Sequence, residues 1–386
     1  MKKFFTYLAL FLALLIILFF SVLPSQVDQR ANQVLATSYP TPSGRAQALH
    51  QKLFIVDLHC DALLWNRDLL ARNNRGEVDV PRLIEGNMAL QAFTVVSKVP
   101  LGLNIERNGD SKDMITLLAV AQRWPFATWG SLKQRALHQA QKLHEFAANA
   151  EGKFIIIKTR EDLQNYLARR QENQNITAGF LGSEGAQVLE GNLENLDELY
   201  DAGFRMMAPT HFFDTEIGGS AHGLEKGGLT ALGRDWVKKM EEKKIIIDLA
   251  HASPQTIDDV LALTTRPLVV SHTGVKGTCD NTRNLSDDHV KRIAQTGGVI
   301  GIGFWDTAVC GTDAQAIAKA IRYTVNLAGV EHVGLGSDFD GAVKTPFDAA
   351  HIIQLTDGLL TEGFSDEEIA LVMGGNVLRI LQEVLP

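Results

Sequence analysis

Between Lys244 and Asn284 the chain reads KIIIDLAHASPQTIDDVLALTTRPLVVSHTGVKGTCDNTRN, and this stretch restricts the fold more than any other. Ile245 to Leu249 and Pro267 to Val270 are apolar, mostly β-branched runs, each closed by a histidine, His251 and His272. Between them Pro254 to Leu263 has helical spacing, with Ser253 as N-cap before a proline at the first helical position. Parallel strands buried on both faces read as unbroken apolar runs, and functional groups in α/β folds collect at their carboxyl ends. A lone histidine is most often a satisfied core or surface residue. Two at matched strand ends point into one mouth.

The same pattern recurs along the chain. Leu53 to His59 is a strand that runs on into Cys60-Asp61, and Met88 to Val96 is the next. Ile176 to Gly182 delivers Glu184 between glycines, and Phe204 to Thr210 is closed by His211. After the two central strands come Gly298 to Phe304, without an obvious ligand, and His332 to Phe339, which carries Asp338. Eight strands alternating with helices predict an α/β fold, a (β/α)8 TIM-like barrel, with its site at the carboxyl face. Phe154 to Lys158 reads as an accessory strand outside the barrel. A helical region from Ser111 to Ala150 carries His138 and His144 as solvated residues, and Asn376 to Leu385 is an amphipathic closing helix. The glycine-rich loop from Ile217 to Gly228 reads as mobile and able to line or cover a pocket, with no role assigned to its His222.

Lys2 and Lys3 precede about twenty uncharged residues, Phe4 to Leu23, long enough to span a bilayer. Residues 1–24 therefore read as a transmembrane anchor, with a signal segment as the alternative, because Val34-Leu35-Ala36 offers a small-residue cleavage pattern further on. Either way the folded part is exported, to a periplasmic or extracellular face. Residues 25–46 read as a polar tether and 47–386 as one barrel domain. A formal charge of -8 makes no electrostatic case for nucleic acid or anionic lipid. Of three cysteines, Cys60 lies on a strand between candidate ligands and reads as a small buried hydrophobe facing away from them. That leaves Cys279 and Cys310 as a pair in an exported protein.

His59, Asp61, Glu184, His251 and His272 are enough for two ions about 4 Å apart. The economical arrangement puts His59 and Asp61 on one ion and His251 and His272 on the other, with Glu184 bridging. Imidazole and carboxylate without thiolate suit Zn2+, with Mn2+ a lesser possibility. A hydroxide held between the ions is then the nucleophile, and Asp338 the proton carrier. His211 can donate to the oxyanion. A loop arginine is usually only solvated, but Arg283 in this company offers a planar fork for a free carboxylate. Such a site favours very short peptides.

These residues resemble the membrane (renal) dipeptidases. The resemblance spans about residues 53–380 and rests on DLHCD at 57–61, VDVPRLIEG at 78–86 and GSEG at 182–185. It continues through Thr210-His211, DLAH at 248–251, SHT at 271–273, NTRN at 281–284 and GSDFDG at 336–341. It implies a binuclear zinc dipeptidase with His59 and Asp61 on one ion, Glu184 as bridge, and His251 and His272 on the other. It also implies His211 beside the scissile carbonyl, Arg283 on the substrate carboxylate, Asp338 as acid/base and a Cys279–Cys310 disulfide. Homodimers and acceptance of a D-residue at the carboxyl side follow from the resemblance too. Animal members use a carboxyl-terminal lipid anchor; this sequence shows no hydrophobic tail there and carries its apolar segment at the front. Two other readings stand beside this one: a di-zinc hydrolase of another small amide, such as an N-acyl amino acid or natural-product intermediate, and a non-catalytic anchored barrel.

Overall fold

The computed structural model describes residues 1–110 and 112–386. Eight parallel strands form one sheet in chain order: β1 (Ile55–Cys60), β2 (Met88–Val95), β3 (Thr177–Ser183), β4 (Phe204–Met207), β5 (Ile246–Ile247), β6 (Val269–Thr273), β7 (Val299–Ile302) and β8 (Val333–Leu335). β8 returns to β1 through Leu335 and Asp57, and a parallel bridge from Asp248 to Val269 joins β5 to β6. The sheet curls round on itself with helices between its strands, the TIM-like barrel expected from the apolar runs. β5 and β8 are shorter than those runs because the backbone leaves the ladder on turning into the mouth. His251 and Asp338 sit at φ of 60° and 62°, a left-handed conformation uncommon for residues with a side chain.

The accessory strand Phe154–Ile156 pairs with Thr177–Gly179 at the start of β3, whereas β4 joins β3 only from Leu181 onward. It lies outside the cyclic order, as its place between two helices predicts. The expected helical region is in pieces, Met114–Ala121 and Leu132–Asn149 with a short 3-10 turn at Phe126–Trp129; its first residue, Ser111, lies outside the described residues. His138 and His144 are half-buried rather than solvated. His144 Nε2 is 2.8 Å from the Ala202 carbonyl, and the His138 ring lies 4.9 Å from that of Trp124.

Helix ends follow local chemistry. Ser253 Oγ accepts from the Thr256 N–H at 3.0 Å and caps Pro254–Leu263, so the chain between β5 and β6 starts its helix where the sequence predicts. One apolar cluster takes Val56, Leu90, Ile246, Val269 and Val299 from the first halves of their strands. It closes on Val377, Ile380, Leu381 and Val384 of the helix Asn376–Val384. Apolar residues thus fill the amino end, and the polar residues gather at the other.

Lys2–Ala31 is a helical run of 30 residues, hydropathy 2.7 in its most apolar window, long enough to cross a bilayer. Residues 25–46, read as a tether, carry ordered elements. Asp28 is buried, Gln33–Val34 pairs in parallel with Lys344–Thr345, and the helix Gly44–His50 starts on a Ser43 cap.

Candidate metal centre and active-site cavity

The carboxylate of Glu184, delivered just past β3, stands among four imidazoles. Its Oε1 lies 3.0 Å from His251 Nε2, 3.4 Å from His272 Nε2 and 3.6 Å from His59 Nε2. Its Oε2 lies 3.2 Å from His211 Nε2. His59 Nε2 is 3.5 Å from Asp61 Oδ1 and 3.9 Å from Asp338 Oδ1. All the ionisable residues expected from strand ends therefore meet in one buried group. Distance alone does not sort the five candidate ligands into two sets, since the rings of His59 and His272 lie 3.7 Å apart.

Neighbouring groups set the orientations. Thr94 Oγ1 donates to Asp61 Oδ1 at 2.8 Å. Ser271 Oγ lies 3.2 Å from His59 Nδ1 and 2.9 Å from His272 Nδ1, so one hydroxyl turns the Nε2 atoms of both rings toward Glu184. Arg283 donates from Nη2 to the His272 carbonyl at 2.6 Å and from Nη1 to Thr273 Oγ1 at 3.2 Å. Its loop is tied at one side by the Cys279–Cys310 disulfide and at the other by Asn284, which donates to the Cys279 carbonyl at 2.7 Å. Cys60 is free and buried.

Three carboxylates face a single buried guanidinium here, and the electrostatics record that surplus. Burial, then the charge of Asp61, drives the Glu184 carboxyl well above the usual carboxylate range. Burial pushes Asp338 up to about 8, with the Asp61 charge adding to it. Burial opposes charge on His59 too, but Asp61, Glu184 and Asp338 together carry it up to about 10. His211, His251 and His272 go well below the ordinary histidine value, chiefly through burial, and are neutral. The raised carboxyls of Glu184 and Asp338 mark a place where positive charge is wanted, and neutral imidazole is the ligating form. His59 Nε2 is buried without a hydrogen-bond partner. Donor types, convergence and this orphaned nitrogen all fit a bound cation.

Asp61, Glu184, His211, Arg283 and Asp338 line a cavity of about 730 Å³. Its outer wall includes Leu35, Leu103 and Ile105, which no strand-end pattern marks, and Trp305, which follows the seventh run without being a ligand type. His222 lines it as well. The loop carrying His222, expected to be mobile, is tied down: the Ala221 N–H donates to the His251 carbonyl at 2.8 Å, and Asp214 accepts from Ser220 and Glu225 at 2.8 Å each. At Gly219 an added Cβ would stand 2.1 Å from the Gly227 carbonyl, so the two arms of the loop cross with no room for a side chain.

The family model for the membrane dipeptidases, peptidase family M19, matches residues 43–385. Dipeptidase aclJ of Aspergillus oryzae is 33% identical over 351 residues, 86% of this chain and 78% of that protein. An uncharacterized dipeptidase of Schizosaccharomyces pombe is 25% identical over 363 residues, 88% of this chain and 83% of that one. Among solved structures, the probable dipeptidase PvdM of Pseudomonas aeruginosa superposes with a TM-score of 0.73 at 22% identity, covering 88% of this chain and 97% of its own. A metallo peptidase of Rhodobacter sphaeroides, liganded with a phosphinate mimic of the dipeptide L-Ala-D-Ala, gives 0.70 at 23%, covering 86% and 99%. With its barrel, its buried donor set and this match over most of its length, the chain belongs to the membrane dipeptidases, the metal-dependent peptidase family M19.

Proposed function

We propose that this chain hydrolyses dipeptides with a free carboxylate, including those with a D-residue at the carboxyl side, in a site that holds two Zn2+ ions. The observation that carries the reading is that Glu184, Asp338 and Arg283 line one cavity, with four imidazoles gathered on Glu184. His59 and Asp61 would hold one ion and His251 and His272 the other, with Glu184 shared between the two sets. Bound there, the metal supplies Lewis acidity and a water acidic enough to act as nucleophile near neutral pH.

The chain's own groups do the rest. Asp338 takes the proton of the attacking water and returns it to the leaving amine, a role suited to a carboxyl whose pKa burial has raised. His211 donates a hydrogen bond to the oxyanion that develops at the scissile carbonyl. Arg283 has donors left over beyond His272 and Thr273, and these take the substrate carboxylate. The apolar helix anchors the enzyme at the exported face of a membrane, and the barrel works as a homodimer.

The volume and apolar outer wall of the cavity also favour a second substrate, an N-acyl amino acid, which presents the same carboxylate to Arg283. One experiment separates these readings. Bound metal is measured by elemental analysis, and hydrolysis is assayed on L,L and L,D dipeptides, their amides and N-acyl amino acids. About two zinc ions per chain, turnover of free dipeptides and loss on amidation are expected; metal without dipeptide turnover would shift the activity to other amides.

A further inference from the structure

The apolar amino-terminal helix does not run into a loose linker. Near its end Asp28 turns inward, 1 % exposed, and its Oδ2 takes Arg75 Nε at 2.8 Å and lies 3.4 Å from Arg67 Nε. Arg67, its side chain wholly buried, reaches Asp340 Oδ1 at 2.8 Å. Asn32, at the helix terminus, donates to Asp28 Oδ1 at 2.9 Å and accepts from the Ala342 N–H at 2.9 Å. Gln33 and Val34 then pair with Lys344 and Thr345, and the Leu35 N–H donates to the Thr345 carbonyl at 2.8 Å.

The loop held in this way is the one that leaves β8 and carries Asp338. Asp338, Asp340 and Ala342 all have φ between 60° and 62°, a course that residues with side chains keep only where the surroundings impose it. Leu35 itself lines the cavity, beside Ala342 and Val343 and with Leu103 and Ile105 in the same wall.

We infer that Asp28–Leu35 is a strap belonging to the active site: Asp28 and Asn32 hold the Asp338–Thr345 loop in its left-handed course, and Leu35 selects substrates with a bulky apolar side chain. Asp28 and Asn32 are positioning residues, whereas Leu35 determines specificity. The selection half rests on the dipeptidase reading; the holding half does not.

The test uses the full-length, metal-loaded protein in detergent. Leu35 is 40% exposed, so Leu35→Ala should fold and keep its metal. It should reduce the preference, in kcat/KM, for leucyl- and phenylalanyl-containing dipeptides over glycyl and alanyl ones by about 10-fold. Asn32→Ala and Asp28→Asn should retain metal, lower kcat several-fold with KM little changed, and speed amide hydrogen exchange of residues 339–345. Unaltered exchange in both variants would overturn the strap, and an unaltered substrate ranking in Leu35→Ala would overturn the selecting wall. Recovery of an active chain cleaved after Ala36 would overturn both. A wild-type protein that turns over no dipeptide would reject the dipeptidase reading instead, while hydrogen exchange still decides whether the strap holds its loop.

Discussion

The Nε2 atoms of His251 and His272 lie 2.9 Å apart, and both face Oε1 of Glu184. Only one of these nitrogens can donate to the other, and the carboxylate oxygen they share gains no charge from two neutral rings. A cation removes that conflict. Chelation should lower the thermal unfolding midpoint, and metal restored at about 100 times its Kd should return about 2.7 kcal/mol, several degrees in a chain of this size. Glu184→Gln should lose most of that dependence. A midpoint indifferent to chelator would remove the cation from this place.

Asp338 is buried beside His59 with its carboxyl pushed up to about 8, and Asn has nearly its shape without its proton chemistry. Asp338→Asn should leave bound metal nearly unchanged and cut kcat by roughly 100-fold or more. Elemental analysis beside steady-state kinetics checks this. Unchanged turnover would move the proton transfer to another group.

Arg283 spends donors on His272 and Thr273, so its removal loosens a carbonyl as well as a substrate contact. For free dipeptides Arg283→Ala should raise KM about 10-fold or more, while amidated substrates, already poor, should change little. Arg283→Lys should not restore the wild-type KM, because an ammonium lacks the planar fork. Equal effects on free and amidated substrates would place the carboxylate elsewhere.

Acid sensitivity should come partly from outside the site. His50 is buried with Nδ1 2.8 Å from Thr356 Oγ1 and Nε2 3.1 Å from the Gly86 carbonyl, and burial lowers its pKa from 6.5 to about 4. The unfolded chain therefore takes up this proton first as pH falls. The stability that His50 contributes is whole above about pH 6.5 and is lost progressively toward pH 4, on the order of 3 kcal/mol at most. Denaturant midpoints measured from pH 7 to 4.5 should fall, and His50→Gln should flatten that fall. An identical slope in the variant would assign the acid loss to other groups.

The barrel was legible because a parallel strand buried on both faces leaves a continuous apolar run, and because Glu184, His211, His251 and His272 follow such runs directly. Leu35 follows no run of this kind, Trp305 follows one but is neither ionisable nor a ligand type, and His222 sits in a loop whose shape depends on Asp214 and the crossing at Gly219. Ser271 is next to His272 in sequence, yet its contact with His59 exists only once β1 and β6 curve toward each other. The tether reading of residues 25–46 drew on composition, and composition says nothing of a carboxylate that will be matched with Arg67 and Arg75. Local patterns report what an element does with its own neighbours. Partners hundreds of residues apart leave no period to read.

That separation has a kinetic side. Asn32 and Ala342, which share a hydrogen bond, are 310 positions apart. At synthesis rates of ~5–20 residues per second, roughly 15–60 s pass between the making of one and the other. Over that interval Asp28 has Arg67 and Arg75 to pair with, but Asp340 and Ala342, which Arg67 and Asn32 reach in the finished fold, have not yet been made. Docking of the strap is therefore a late event in the life of each molecule, and it marks that the last barrel strand, β8, has been made and closed.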